Sequence, residues 1–164
     1  MSLPEGETRD LIIRPMLAED AEAVIALERE TPSAPHWNPQ EYLRIAAPEE
    51  NSALTRIGLV AVGVQGIDGF AVVRMLRTDE SGEAELESIV VRAELRGRGI
   101  GVRLLAAVMK AARGKGAERL EFEVRASNEG AIRFYEHAGM RVDGRRSGYY
   151  ADPADDAVLM SAKV

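Results

Sequence analysis

The chain has 164 residues, a length that suits one domain with its own hydrophobic core. Apolar residues at 46% and charged residues at 29% exclude a disordered chain, and a net charge of −6 argues against a broad nucleic-acid-binding surface. Cysteine is absent, which rules out disulfides, thiolate metal sites and a cysteine nucleophile and fits a cytoplasmic protein. Two histidines are too few for a multi-histidine site, so no metal is expected.

No apolar run approaches the roughly 20 residues of a membrane span, so no membrane partner is expected. The polar, acidic start shows no signal peptide. Residues 1–10 read as a disordered lead-in and residues 11–164 as the folded domain. Leu11 to Arg14 reads as a short strand that Pro15 ends. Ala18 to Glu30 places Ala21, Val24, Ile25 and Leu27 at helical spacing. Leu17 makes a weak N-cap, and Asp20 compensates in part through the helix dipole. The loop from Thr31 to Pro39 sets Pro32 and Pro35 around His36 and Trp37. Its tryptophan either lines a binding site or plugs the space beneath the loop. Pro39 to Ala47 reads as a short helix with the proline in its first turn.

Arg56 to Val64 and Ile67 to Leu76 read as strands joined through Gln65-Gly66. Glu83 to Val91 is a third strand of this group. After a glycine-rich loop a helix runs to Arg113, with Leu104, Leu105, Val108, Met109 and Ala112 on one face, and Gly114 and Gly116 end it. Leu120 to Val124 reads as a strand and Asn128 to His137 as a helix stopped by Gly139. Met140 to Tyr150 and Ala157 to Lys163 are expected strands around a polar loop with Pro153. The strands on either side of the glycine loop and its helix form a β-α-β unit and should be parallel, with the rest antiparallel. The expected fold is a mixed α/β domain.

The loop between strand and helix, Arg96-Gly97-Arg98-Gly99-Ile100-Gly101-Val102-Arg103, is suited to an anion. Helix N-termini leave backbone N–H groups unpaired, and glycines let the backbone approach a ligand closely. The dinucleotide fingerprint fails because Val102 stands where its third glycine belongs, and the P-loop fails because Gly116 follows Gly114-Lys115. What remains is Arg-x-x-Gly-x-Gly opening a helix. It reads either as a tight turn with solvated arginines or as an anion site, and a pyrophosphate fits it better than a lone carboxylate.

This loop resembles that of the GCN5-related N-acetyltransferase (GNAT) superfamily. Three further segments are similar to its RimI family of ribosomal-protein N-terminal alanine acetyltransferases. They are Leu120-Glu121-Phe122-Glu123-Val124-Arg125-Ala126-Ser127-Asn128, then Ala131-Ile132-Arg133-Phe134-Tyr135-Glu136 with Gly139-Met140, then Arg145-Arg146 with Tyr149-Tyr150 and Asp156 to Met160. Trp37-Asn38-Pro39-Gln40 faintly resembles the family's Trp-Ser loop. The likeness covers Glu83 to Ser161 well and the earlier chain thinly.

The resemblance implies a single-domain α/β (α+β) GNAT fold, with a mostly antiparallel sheet, one central parallel pair and flanking helices. It implies acetyl-CoA as co-substrate. Backbone groups of Ile89, Val90 and Val91 would meet the pantetheine and thioester, Arg96 and the run Gly97, Arg98, Gly99, Ile100, Gly101 and Val102 the pyrophosphate, and Asn128 the CoA arm. Glu123 would be the general base and Tyr135 the general acid. The acceptor would be a protein N-terminus. A small-molecule amine or antibiotic, or a non-catalytic CoA-binding module, is the alternative, and the chain is compatible with a homodimer.

Each residue also has a plainer reading. Glu123 alternates with apolar neighbours as on any half-exposed strand. Tyr135 fits the apolar stripe of its helix, and Asn128 would serve as a helix cap. Glu87 departs from the RimI pattern, where an aromatic or apolar residue is usual; it is either a base on this strand, as in many other acetyltransferases, or an outward-facing strand residue. Tyr149 and Tyr150 could flank an extended N-terminus. An α-amine, with an ordinary pKa of about 7.7–8.0 against about 10.4 for lysine, needs only a modest base.

Overall fold

The computed structural model describes residues 10–49, 54–77 and 82–164. Its strands are β1 (Ile12–Pro15), β2 (Leu54–Gly63), β3 (Gly66–Arg77), β4 (Gly82–Val91), β5 (Ala117–Arg125), β6 (Arg141–Ala151) and β7 (Ala154–Lys163). Its helices are α1 (Ala21–Arg29), α2 (Pro39–Ala46), α3 (Ile100–Gly114) and α4 (Glu129–His137). The strands form one seven-stranded sheet in the order β1-β2-β3-β4-β5-β7-β6. Only β4 and β5 pair in parallel among the described residues, as the β-α-β argument requires.

The element order matches the sequence reading, and the edges move. Pro15 joins β1 instead of ending it, which an edge strand tolerates because no ladder bond needs its missing N–H. The β2–β3 turn is Val64-Gln65, with Gly66 at φ +130° opening β3. The expected helix start at Ala18 is a 3-10 turn, Ala18–Asp20. Asp20 acts there by direct bonds rather than through a dipole. Its carboxylate accepts from the Leu17 N–H at 2.8 Å and binds the Arg14 guanidinium at 2.6 and 2.9 Å. β5 and β7 each begin three residues early, at Ala117 and Ala154. The lead-in expected over residues 1–10 lies outside the described residues except for Asp10.

The sheet has a helical layer on each face. On one face Leu104, Leu105, Val108 and Ala112 of α3 pack with Leu86, Leu120, Phe122 and Tyr135. On the other, Val24 and Leu27 of α1 and Tyr42 and Ile45 of α2 pack with Phe70, Val72 and Val90. Full burial of each such aliphatic side chain contributes about 1.5–3 kcal/mol, so the two layers hold the sheet independently.

Two irregularities in β4 shape its centre. Val72 pairs with Ser88 but Val73 with Leu86, so Glu87 is an extra residue in the ladder, a β-bulge. The bulge exchanges the faces of β4. Leu86 before it belongs to the α3 side, and Val90 beyond it belongs to the α1–α2 side. The second irregularity lies toward β5. Parallel pairing stops at Glu85 and Glu121, although β4 continues to Val91 and β5 to Arg125. From there the two strands part.

Candidate active site

A cleft of about 1090 Å³ runs through this parting. β4 lines it from Leu86 to Val91, β5 from Phe122 to Arg125, and the α1–α2 loop adds Thr31, Ser33, Ala34 and Pro35. At the α3 end the lining is Arg96, Gly97, Gly99, Ile100, Gly101 and Val102.

That end is made of backbone. Gly97 and Gly99 have φ of +78° and +85°, the left-handed region that costs an L side chain about 1–2 kcal/mol. Gly99 caps α3, and the first turn contains no acidic residue, so its N–H groups and dipole face the cleft uncompensated. Gly101 serves packing. A Cβ there would lie 3.2 Å from Cζ of Phe134, so glycine lets the start of α3 close on α4. Arg96 donates from Nε to the Val91 carbonyl at 3.1 Å. The Arg103 guanidinium donates to the Leu11 carbonyl at 2.9 Å, which ties it to the chain before β1. Arg98 is not part of the lining.

The β5 wall carries different groups on its two faces. Phe122 and Val124 point into the α3–α4 layer, and Tyr135 packs against Phe122 with ring centroids 4.2 Å apart and the rings tilted by 48°. Burial pushes the Tyr135 hydroxyl well above its ordinary value, so it keeps its proton throughout the neutral range. Glu123, between these apolar residues, lies on the opposite face. There it meets β6. The Glu123 carboxylate raises the Tyr149 hydroxyl's affinity for its proton, and Arg146 stands 3.7 Å away. Tyr150 is raised too, by burial and then by Glu123, and lies under the Arg125 guanidinium at 4.1 Å. Arg125 also donates to the Pro153 carbonyl at 2.8 Å and so pins the β6–β7 turn.

Glu87 is not a free carboxylate. Arg56 reaches it twice, from Nε at 2.7 Å and from a terminal nitrogen at 3.2 Å, and Arg74 lies 3.7 Å away. Arg56 also bridges to Glu41 on α2 and sits over Trp37 at 5.1 Å. Trp37 packs on Tyr42 at 5.7 Å and lies outside the cleft lining, the arrangement of a plug under its loop. Asn128 caps α4 by accepting from the Ala131 N–H at 3.2 Å, and it lines the cleft as well.

The cleft therefore gathers Glu87, Glu123, Tyr135, Tyr150, Asn128 and the glycine loop, while Tyr149 is not part of its lining. Among the described residues no cluster of three or more His, Asp or Glu side chains could hold a metal ion. No described helix is long and apolar enough to cross a membrane.

The family model for GNAT acetyltransferases matches residues 21–140. The chain belongs to the acetyltransferase (GNAT) family. An N-alpha-acetyltransferase from Saccharolobus solfataricus is 30% identical over 98% of both chains. The N-alpha-acetyltransferase RimI of Mycobacterium tuberculosis is 36% identical over 76% of this chain and 73% of its own length. Other matches are shorter: the chain spans about half, 52%, of the length of a Bacillus subtilis relative. The crystal structure of the ribosomal-protein-S18-alanine N-acetyltransferase from Escherichia coli shares the fold, with a TM-score of 0.75 at 24% identity over 94% of each chain.

The site has the materials to hold the phosphate-bearing arm of a cofactor such as acetyl-CoA. The parted strands leave backbone groups unpaired, and the glycine loop offers several N–H donors to a phosphate group. Sequence reading passed over Arg56, Arg74 and Ser88. The arginines reach Glu87 from strands 31 and 13 residues earlier in the chain, so no local pattern announces them. Ser88 had one signal, a lone hydroxyl before the apolar run Ile89-Val90-Val91.

Proposed function

We propose that this chain transfers the acetyl group of acetyl-CoA to the α-amine of a protein N-terminus. The observation that carries this reading is the placing of Glu123 and Tyr135 on opposite faces of the parted strands. An amine entering from the Glu123 face can attack a thioester held in the gap, while its sulfur leaves toward the Tyr135 face. The two N-alpha-acetyltransferase relatives support the choice of an α-amine.

The residues divide the proton work. Glu123 takes the proton that the amine nitrogen loses as the N–C bond forms. Backbone N–H groups of Ile89 and Val91, which point from β4 into the gap, stabilise the negative charge on the carbonyl oxygen. Tyr135 holds its proton until the C–S bond breaks and then donates it to the sulfur. Both groups exchange with water to reset. Ile100, Gly101 and Val102 bind the pyrophosphate through the first turn of α3, with Gly97 and Gly99 shaping the approach. Asn128 contacts the CoA arm. Tyr149, Tyr150 and Arg146 border the entry of the extended N-terminus. The Arg56 and Arg74 contacts make Glu87 a buttress for this wall and leave the base role to Glu123.

The test is acetyl transfer to short peptides beginning with Ala or Ser, to the same peptides with a blocked N-terminus and an internal lysine, and to polyamines. Turnover on the free α-amines alone is expected. Faster turnover on polyamines would replace this reading with a small-amine acetyltransferase. Binding of CoA without turnover on any amine would leave a CoA-binding module.

A further inference from the structure

Among the described residues, Ser88 carries the one buried side-chain polar atom of the cleft wall that lacks a hydrogen-bond partner. It is 7% exposed, it lines the cleft, and its hydroxyl has no hydrogen-bond partner among the described residues. A buried hydroxyl without a partner is costly, because it has lost its water and gained nothing in exchange. Such a group in a cleft wall is matched to something that enters the cleft.

The backbone register says which face it serves. Ser88 stands opposite Val72, which belongs to the α1–α2 layer. The bulge at Glu87 is what puts it there; in an unbroken strand its place would share the face of Leu86. The parallel register ends at Glu85 and Glu121, and two residues further on β5 comes Glu123, level with the bulge across the gap. Glu123 lies on the same face as Ser88. Glu87, the neighbouring polar side chain, is engaged by Arg56 and Arg74. Ser88 is thus the uncommitted polar group on this stretch of β4, facing the side on which Glu123 stands.

We propose that Ser88 Oγ accepts a hydrogen bond from the attacking α-amine and so aims the nitrogen lone pair at the thioester carbon. The inference rests on the N-terminal acetyltransferase reading above. With no bond holding its present rotamer, the hydroxyl can turn about χ1 to another staggered well as the amine arrives. Glu123 then removes one proton while Ser88 holds a second N–H, which fixes the direction of attack. The contact is made on the acceptor, so it leaves acetyl-CoA binding untouched.

The experiment compares wild type with Ser88→Ala and Ser88→Thr, using an Ala-starting peptide. In Ser88→Ala the peptide KM is expected to rise about tenfold with the acetyl-CoA Kd unchanged, and Ser88→Thr to restore most of the loss. Tm should not fall, since the substitution removes an unpaired buried hydroxyl. A peptide KM equal to wild type overturns the proposal, as does an equal loss of acetyl-CoA affinity. Calorimetric binding of the peptide to the CoA-saturated protein separates this from the parent reading. If wild type binds the peptide without acetylating it, the parent reading fails, and weaker binding by Ser88→Ala still supports Ser88. Equal binding by both proteins, or none by wild type, overturns it.

Discussion

The two halves of the cleft are built from different materials. The α3 end is backbone: glycines at positive φ, a helix start without acidic residues, and strand groups left unpaired where β4 and β5 separate. The α1–α2 and β6 side is side chains: Glu123 with Tyr149 and Arg146, and Glu87 with Arg56 and Arg74. A backbone site can bind the same cofactor arm in many relatives, because it depends only on chain geometry. A side-chain site can be altered one residue at a time. On the proposed reading the backbone half holds the donor, and the side-chain half meets the acceptor.

Substitutions at the seam between the halves should have the largest effect. For Tyr135→Phe we expect kcat to fall by about 10²–10⁴-fold with acetyl-CoA affinity unchanged, measured by steady-state kinetics and calorimetry. Because burial raises the Tyr135 hydroxyl, kcat in wild type should show no falling limb from this group below about pH 10. Next comes the side-chain half. Glu123→Gln should lower kcat/KM about 100-fold, whereas Glu87→Gln should change kcat less than about fivefold. Equal losses in the two would erase the distinction between base and buttress. The backbone half should respond through the donor alone. Gly99→Ala forces a left-handed alanine at a cost of about 1–2 kcal/mol, and a roughly tenfold rise in acetyl-CoA KM with an unchanged peptide KM is expected.

The smallest effect concerns stability of the acceptor-side layer. Hydrogen bonds from Arg14 hold the Asp20 carboxyl below its ordinary value. Its contribution is fully present above the unfolded value of about 3.9 and is lost as pH falls through the lower folded value. Urea unfolding should show a shallower acid limb for Asp20→Asn than for wild type between about pH 5 and pH 2.

The same division explains what the sequence revealed. The glycine loop was legible as a turn into a helix because its chemistry is local: six residues between a strand and a helix specify it. The element order and the parallel pair followed from periodicity and the handedness of crossovers. The partners of Glu87 were not legible, because Arg56 and Arg74 meet it only through the pairing of three strands and the bulge. Nor was the meeting of Glu123 with Tyr149, which depends on β7 lying between β5 and β6. Tyr135 looked like a core residue and is one; its position at the cleft is a matter of how α4 lies on Phe122. Asn128 is both a helix cap and part of the wall.

The central claim is that the proton is taken on one face of the parted strands and returned on the other. A crystal structure with a CoA–peptide bisubstrate conjugate tests it most directly. The account predicts the linking carbon in the gap between β4 and β5, the peptide nitrogen on the side of Glu123 and Ser88, and the sulfur on the side of Tyr135. A conjugate with nitrogen and sulfur both on the α3–α4 face, or with its peptide leading away from Tyr149 and Tyr150, would contradict it.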